Sequence, residues 1–486
     1  MARKARYILS IALIFLLLII AGLSASAAYC YRAAKMLLHP LPVETLTDSE
    51  ATRLQARLDE LYPQRTSHKL SSLPYTAIPT ELTVNAASAI LIDCATGSIL
   101  WEKNADAPIP PASLTKIVEM YVIFEAVERG EVRLDDEVPL PPQSWSVNLP
   151  FDASRMYLNK GQHVTLRELL LGLAIASGND ASIAAAYYIC GNMEDFVARM
   201  NSAVKEAGLE HTHFVESSGY SEKNTTTARE FATFARLYIS KYPWSLTDFH
   251  SVAELRYPLE RNLPESQRFH GDSLAIVQKN TNKLLDKIVG CDGLKTGFID
   301  ESGYNISVTA EQNGTRFLAV TLRGPGHSTA EGNKYRVEDN LALFTYAFAH
   351  YADYRPDHHT NDADAQHTLH EFTVGIAAAE GNAVRLVPAY DENFTVPFIE
   401  GDSPTGAAAS IHVSADIPDC LYGAVSCGTV YGTLSYTLGN TLLRTVPLVA
   451  DRDIPASQGL AKLSGTLVFK AIRLYQKYQR KEGRTS

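Results

Sequence analysis

The stretch PPASLTKIVEMYVIFEAVERG, Pro110 to Gly130, constrains this chain more than any other segment. Leu114, Ile117, Val118, Met120, Val122 and Ile123 set apolar side chains on nearly every side of one helix, and a helix apolar all round belongs in the centre of a domain. Gly130 is placed to end it. The same helix opens at Ser113 and pushes Lys116 one turn into its apolar face. A buried ammonium is costly, so a lysine there needs a reason.

The elements on either side predict an α+β domain. SAILIDCATGSILWEKNAD reads as a β-hairpin turning at Thr96-Gly97. Thr165-Leu-Arg-Glu168 and Thr227-Ala-Arg-Glu230 have the form of capping boxes that open helices. Further helices are expected from Asp180, as a cap, and from Asn192. SGYNISVTAEQNGTRFLAVTLRG gives two alternating runs joined at Asn313-Gly314, a strong hairpin signal, and YRVEDNLALFTYAFAHY closes this part as a helix. Strands, then helices, then strands and a helix predict an antiparallel sheet with helices packed on it.

A length of 486 residues exceeds what one core usually holds. Residues 1–28 read as a signal peptide or N-terminal anchor: Arg3, Lys4 and Arg6 precede the apolar run Ile8 to Ile20, and Ala25-Ser26-Ala27 fits a small-x-small cleavage site. Residues 29–82 are expected to form a spacer with one short helix from Asp48, broken by Pro63 and Pro74. The main domain then spans 83–352, a polar linker 353–368, and a small all-β domain 369–452. The tail, 456–486, has helical spacing with Leu460, Leu463, Leu467, Ala471, Leu474 and Tyr478 on one face. Lys462, Lys470, Arg473, Lys477, Arg480 and Lys481 lie opposite, and Phe469 breaks the pattern. Such a basic amphipathic helix suits an anionic membrane interface; docking on its own protein is the alternative. A net charge of −10 argues against a nucleic-acid surface. The six cysteines show no CxxC pair, so no zinc site is expected. Cys420 could oxidise with Cys427 across a hairpin, although free thiols are the simpler reading.

Three short motifs stand in order: Ser113-Leu-Thr-Lys116, Ser177-Gly-Asn179 and Lys295-Thr-Gly297. Residues three apart on a helix share a face, so the amine of Lys116 can reach the hydroxyl of Ser113. A serine needs a base to become a nucleophile. Burial and a second cation, Lys295, would each lower the pKa of Lys116 and make it one. Backbone N–H groups at the helix start would face developing negative charge. Each motif also has a plain reading: Ser113 as an N-cap, Ser177-Gly-Asn179 as a helix-to-helix turn, Thr296-Gly297 as a strand end. On an edge strand, Lys295 and Thr296 could bind the carboxylate of a paired peptide.

These motifs, with PPASLTKIVEMYVIFEAV, VTLRELLLGLAIASGNDASIAAA, FVARMNSAVKEAGLEHTHFVESSGY and CDGLKTGF, resemble the D-alanyl-D-alanine carboxypeptidases, the low-molecular-weight penicillin-binding proteins. The resemblance covers about Ala86 to Tyr351. It implies the transpeptidase fold shared with β-lactamases, an antiparallel sheet with a helical subdomain, followed by a small all-β domain. It implies removal of the terminal D-Ala from peptidoglycan stem pentapeptides ending in D-Ala-D-Ala. Ser113 would be the nucleophile, Lys116 the base, Ser177 a proton relay and Asn179 an orienting group. Lys295, Thr296, Gly297 and Arg336, just before VEDNLALFTYAF, would surround the substrate carboxylate, with the N–H groups of Ser113 and Phe298 as the oxyanion hole. β-Lactams would acylate Ser113; no metal or cofactor is implied, and the protein would work at the outer face of the cytoplasmic membrane. The chain departs from the family pattern at Ile299, at Ser302 and in ESSGY. A β-lactamase, which has Asp where Gly178 stands, and a catalytically weak wall-binding scaffold are the alternatives.

Overall fold

The computed structural model describes residues 2–65, 68–354, 370–398 and 410–482. The chain forms two units, one within 68–354 and 393–408, the other within 1–67, 355–392 and 409–486. Two helices, α1 (Ala2–Leu38) and α2 (Asp48–Leu61), come first in the chain.

The motif-bearing unit is built on a six-stranded sheet. Its strands are β1 (Ser71–Ser72), β2 (Ser88–Asp93), β3 (Ser98–Lys103), β6 (Cys291–Ile299), β7 (Gly303–Gln312) and β8 (Thr315–Gly324). A separate ribbon pairs β4 (Glu254–Tyr257) with β5 (Ile276–Lys279). The sheet order is β1-β3-β2-β8-β7-β6, which leaves β6 at an edge. All its pairs are antiparallel apart from β1 with β3. The β7–β8 turn has Asn313 at φ 52 and Gly314 at φ 78, the two positive values that a tight right-twisted hairpin requires.

Alternation along the strands sends side chains to two cores. Ile90, Ile92, Leu318, Val320 and Leu322 face the helical layer. Ala89, Leu91, Val308, Phe317 and Ala319 face the opposite side, where Leu343, Phe344 and Ala347 of a long helix pack. The helical layer holds α3 (Thr115–Glu128), α4 (Leu166–Leu171), α5 (Asn179–Cys190), α6 (Met193–Glu206) and α7 (Ala228–Lys241); the helix on the other face is α8 (Thr329–His350). The expected central helix is α3, buried except at Glu125, Val127 and Glu128.

Thr165 and Glu168 make the expected reciprocal cap, Glu168 N–H to Thr165 Oγ1 at 3.2 Å and Thr165 N–H to Glu168 Oε2 at 2.9 Å. The second box is half formed. Thr227 Oγ1 accepts from Glu230 N at 3.1 Å, but Glu230 turns its carboxylate to His211 N at 2.9 Å and Thr212 Oγ1 at 2.6 Å. A tertiary partner outcompetes the local one.

The other unit is an all-β sheet with helices on it. Its strands, β10 (Phe372–Ala377), β11 (Ala383–Pro388), β13 (Ile411–Asp416), β14 (Cys420–Tyr422), β15 (Val430–Leu438) and β16 (Thr441–Ala450), run in the order β13-β15-β16-β11-β10-β14. The last helix, α9 (Gly459–Glu482), buries Val468 and Ile472 beside Leu37 of α1. Strand β12 (Phe394–Pro397) belongs to the first unit, paired with β9 (Tyr351–Tyr354).

The stretch 29–82, expected as a spacer, is largely structured. Leu54 and Leu58 of α2 are buried with Ala389 and Val449, Thr47 and Glu50 form a capping box absent from the sequence reading, and Leu73, Tyr75 and Ile78 pack on the first unit's second core. The linker expected at 353–368 falls, from residue 355 on, outside the described residues. Cys420 and Cys427 are free thiols.

Candidate active site

Ser113 lies in a single 3-10 turn, Ala112–Leu114, that leads into α3. The turn is strained and crowded. Ala112 sits at φ 50, a left-handed conformation uncomfortable for alanine. Two glycines let other segments close on it: a Cβ at Gly219 would stand 1.9 Å from Ala112 O, and one at Gly297 would stand 2.7 Å from Pro111 O and 3.0 Å from Ser113 N. Ser113 is not the cap residue of either helical segment, so the plain N-cap reading fails.

Lys116 is fully buried, with Nζ 3.1 Å from Ser113 Oγ, 2.8 Å from Asn179 Oδ1 and 2.5 Å from Ser218 O. Burial pushes its pKa down to about 8 against the opposing pull of Glu119, Glu216 and Asp180. The expected repulsion between Lys295 and Lys116 is present. Burial first, then repulsion from Lys116 and Arg336, holds Lys295 well below the usual lysine range. A neutral amine has two N–H donors and one lone pair. Asn179 Oδ1 and Ser218 O are acceptors for the donors, which leaves the lone pair toward Ser113 Oγ.

Ser177 closes a wide π turn, Gly172–Ala176, at φ 59. Gly178 caps α5, and a Cβ there would stand 2.7 Å from Asp180 Oδ1 and 2.9 Å from Met156 N. The aspartate of the β-lactamase pattern has no room at this position. Asp180, expected as a helix cap, instead clamps a loop: it accepts from Met156 N at 2.7 Å, Tyr157 N at 2.8 Å, Leu158 N at 3.0 Å and Ser146 Oγ at 2.7 Å.

Lys295, Thr296, Gly297 and Phe298 lie on edge strand β6. Lys295 Nζ donates to Thr296 O at 2.9 Å and Thr296 Oγ1 to Thr281 Oγ1 at 2.8 Å. Phe298, partly exposed, stacks on Tyr304 with ring centres 4.4 Å apart. Arg336 reaches across from α8: one guanidinium nitrogen donates to Gly297 O, another to Asn333 Oδ1 at 2.8 Å, and the group lies over Tyr304. Sequence reading missed the Ser218 carbonyl and its support. Glu216 holds that turn by accepting from Ser218 N and Gly219 N, both at 2.7 Å. The signal available was Gly219 in ESSGY.

Residues 75–326 match the family model described as D-alanyl-D-alanine carboxypeptidase, peptidase S11. The chain belongs to this family. Among its relatives, D-alanyl-D-alanine carboxypeptidase DacF of Bacillus subtilis is 34% identical over 56% of this chain and 64% of its own length. The carboxypeptidase DacA of Escherichia coli K12 is 28% identical over 80% of this chain and 88% of its own. Penicillin binding protein 5 from Haemophilus influenzae shares the architecture at a TM-score of 0.64, with 26% identity, covering 78% of this chain and all of its own. As a D-alanyl-D-alanine carboxypeptidase of the S11 family the chain is a serine peptidase with the transpeptidase fold, and its all-β unit follows the expected plan.

Proposed function

We propose that Ser113 attacks the carbonyl carbon between the two terminal D-alanines of a peptidoglycan stem peptide while Lys116 takes its proton. The tetrahedral oxyanion sits between the N–H groups of Ser113 and Phe298. Ser177 relays the proton to the departing D-alanine amine, Asn179 orients Lys116, and water hydrolyses the acyl-enzyme. Lys295, Thr296 and Arg336 take the terminal carboxylate as the peptide lies along β6. The placement of Lys116 Nζ among Ser113 Oγ, Asn179 Oδ1 and Ser218 O carries this reading. Incubating the purified protein with a pentapeptide muropeptide is expected to release one D-alanine per peptide; binding without release would favour the scaffold reading. β-Lactams acylate the same serine, and rapid penicillin turnover would favour a lactamase.

The region 83–352 is the catalytic domain, displayed on the outer face of the cytoplasmic membrane. Support comes from α9, which docks through Val468 and Ile472 and leaves Leu460, Leu463, Leu467 and Leu474 exposed beside Lys470 and Arg473. The side chains of residues 478–482 lie outside the described set. Residues Leu13–Leu38 of α1 are long and apolar enough to cross a membrane, at mean hydropathy 2.3. Deleting 459–486 is expected to move the protein to the soluble fraction. Retention in the membrane pellet would instead assign the hold to α1.

A further inference from the structure

Glu119 has no part in the chemistry above, yet it lies one turn beyond Lys116 on α3 and is fully buried. Its spacing puts it on the same helix face as the amine. Among the described residues neither carboxyl oxygen meets a hydrogen-bond donor, and no direct ion pair joins it to Lys116. The Ser182 hydroxyl lies nearby and shares a 2.7 Å hydrogen bond with Ser217 in which either oxygen can donate.

An anion without donors is costly to bury. Burial accordingly raises the Glu119 pKa, while Lys116 and, after it, the Ser182 hydroxyl pull it back. Three further charged or titratable groups act on the pair: Asp180 on α5, Glu216 in the loop between α6 and α7, and Lys295 on β6. Asp180 and Glu216 have donors of their own from backbone and side chains. On Glu119 the amine of Lys116 acts most strongly after burial, ahead of the nearby Ser182 hydroxyl and the opposing Glu216, so the two titrate as a coupled pair.

We propose that Glu119 is a positioning residue for the general base: its carboxyl, buried one turn from Lys116 with no donor at full hydrogen-bond geometry, sets how tightly Lys116 holds a proton. The proposal rests on Lys116 being the base. As an anion, Glu119 strengthens the hold of Lys116 on its proton; without it, burial acts on the amine with only Glu216 and Asp180 opposing it. The base form is then reached at lower pH.

The test is the pH dependence of acylation of the full chain by a fluorescent penicillin, in wild type, Glu119→Gln, Glu119→Met and Glu119→Asp. Gln keeps the shape and Met suits the apolar surroundings, so if one fails to fold the other carries the test. The acid limb is expected to move down by about one pH unit in both Gln and Met variants, and to stay near the wild-type position in the Asp variant. A limb that does not move, or moves up, in a folded Gln or Met variant overturns the proposal. Absence of acylation in the wild type would be a different failure: it would remove the base assignment and this inference with it.

Discussion

Ser113→Ala is expected to reduce D-alanine release from a pentapeptide muropeptide by about 10,000-fold or more, with the fold intact. The variant removes the oxygen proposed to form the ester, while the side chain makes no cap whose loss would unfold the helix. Lys116→Met is expected to cost about 100- to 10,000-fold, the range for a general base. Its methionine fills the apolar site, whereas Lys116→Ala would add a cavity to the loss and blur the cause. Measuring kcat and KM separately distinguishes chemistry from binding. The loss is expected in kcat, because neither residue is assigned to the substrate carboxylate. A Ser113→Ala protein with near-normal release would require another nucleophile.

The largest expected effect on stability is that of Asp180→Ala. One carboxylate accepts from three consecutive backbone N–H groups, Met156, Tyr157 and Leu158, and from the Ser146 hydroxyl, all in the interior except the half-exposed Tyr157. Truncation leaves most of those donors buried without partners. At about 1–3 kcal/mol for an unsatisfied buried group, and with some relaxation, a total of about 4 kcal/mol is expected. For a unit of this size that corresponds to a melting temperature lower by about 10 °C. Because Asn179 precedes Asp180 and holds Lys116 at 2.8 Å, kcat is expected to fall as well. Asp180→Asn keeps one acceptor oxygen but points an amide toward donors, so it is expected to lie between wild type and Ala. Thermal unfolding by circular dichroism reads the ordering. A melting temperature unchanged in the Ala variant would show that solvent satisfies the loop.

What the sequence revealed was whatever is written in consecutive residues. An all-apolar helix announces its burial, Asn313-Gly314 announces its turn, and Ser113 with Lys116 announces a shared face, because each property follows from local spacing. Asp180 was misread for the complementary reason. A carboxylate at a helix start looks like a cap until the loop at 146–158 is folded over it, and that loop lies far away in sequence. Glu230 was misread in the same way, when the backbone near His211 displaced its neighbour Thr227. The Ser218 carbonyl, which completes the coordination of Lys116, has no side-chain signature at all. Gly219 and Gly297 show it indirectly: both are glycine where a Cβ would strike the turn that bears Ser113. The stretch 29–82 looked like a spacer because its apolar residues are sparse, yet Leu54, Leu58, Leu73 and Ile78 each find a core.

Intact-mass spectrometry of the protein after exposure to a penicillin, followed by peptide mapping, tests the central claim most directly. One covalent adduct, located on Ser113 and lost in Ser113→Ala, is the predicted result. No adduct, or an adduct on any other residue, would contradict it.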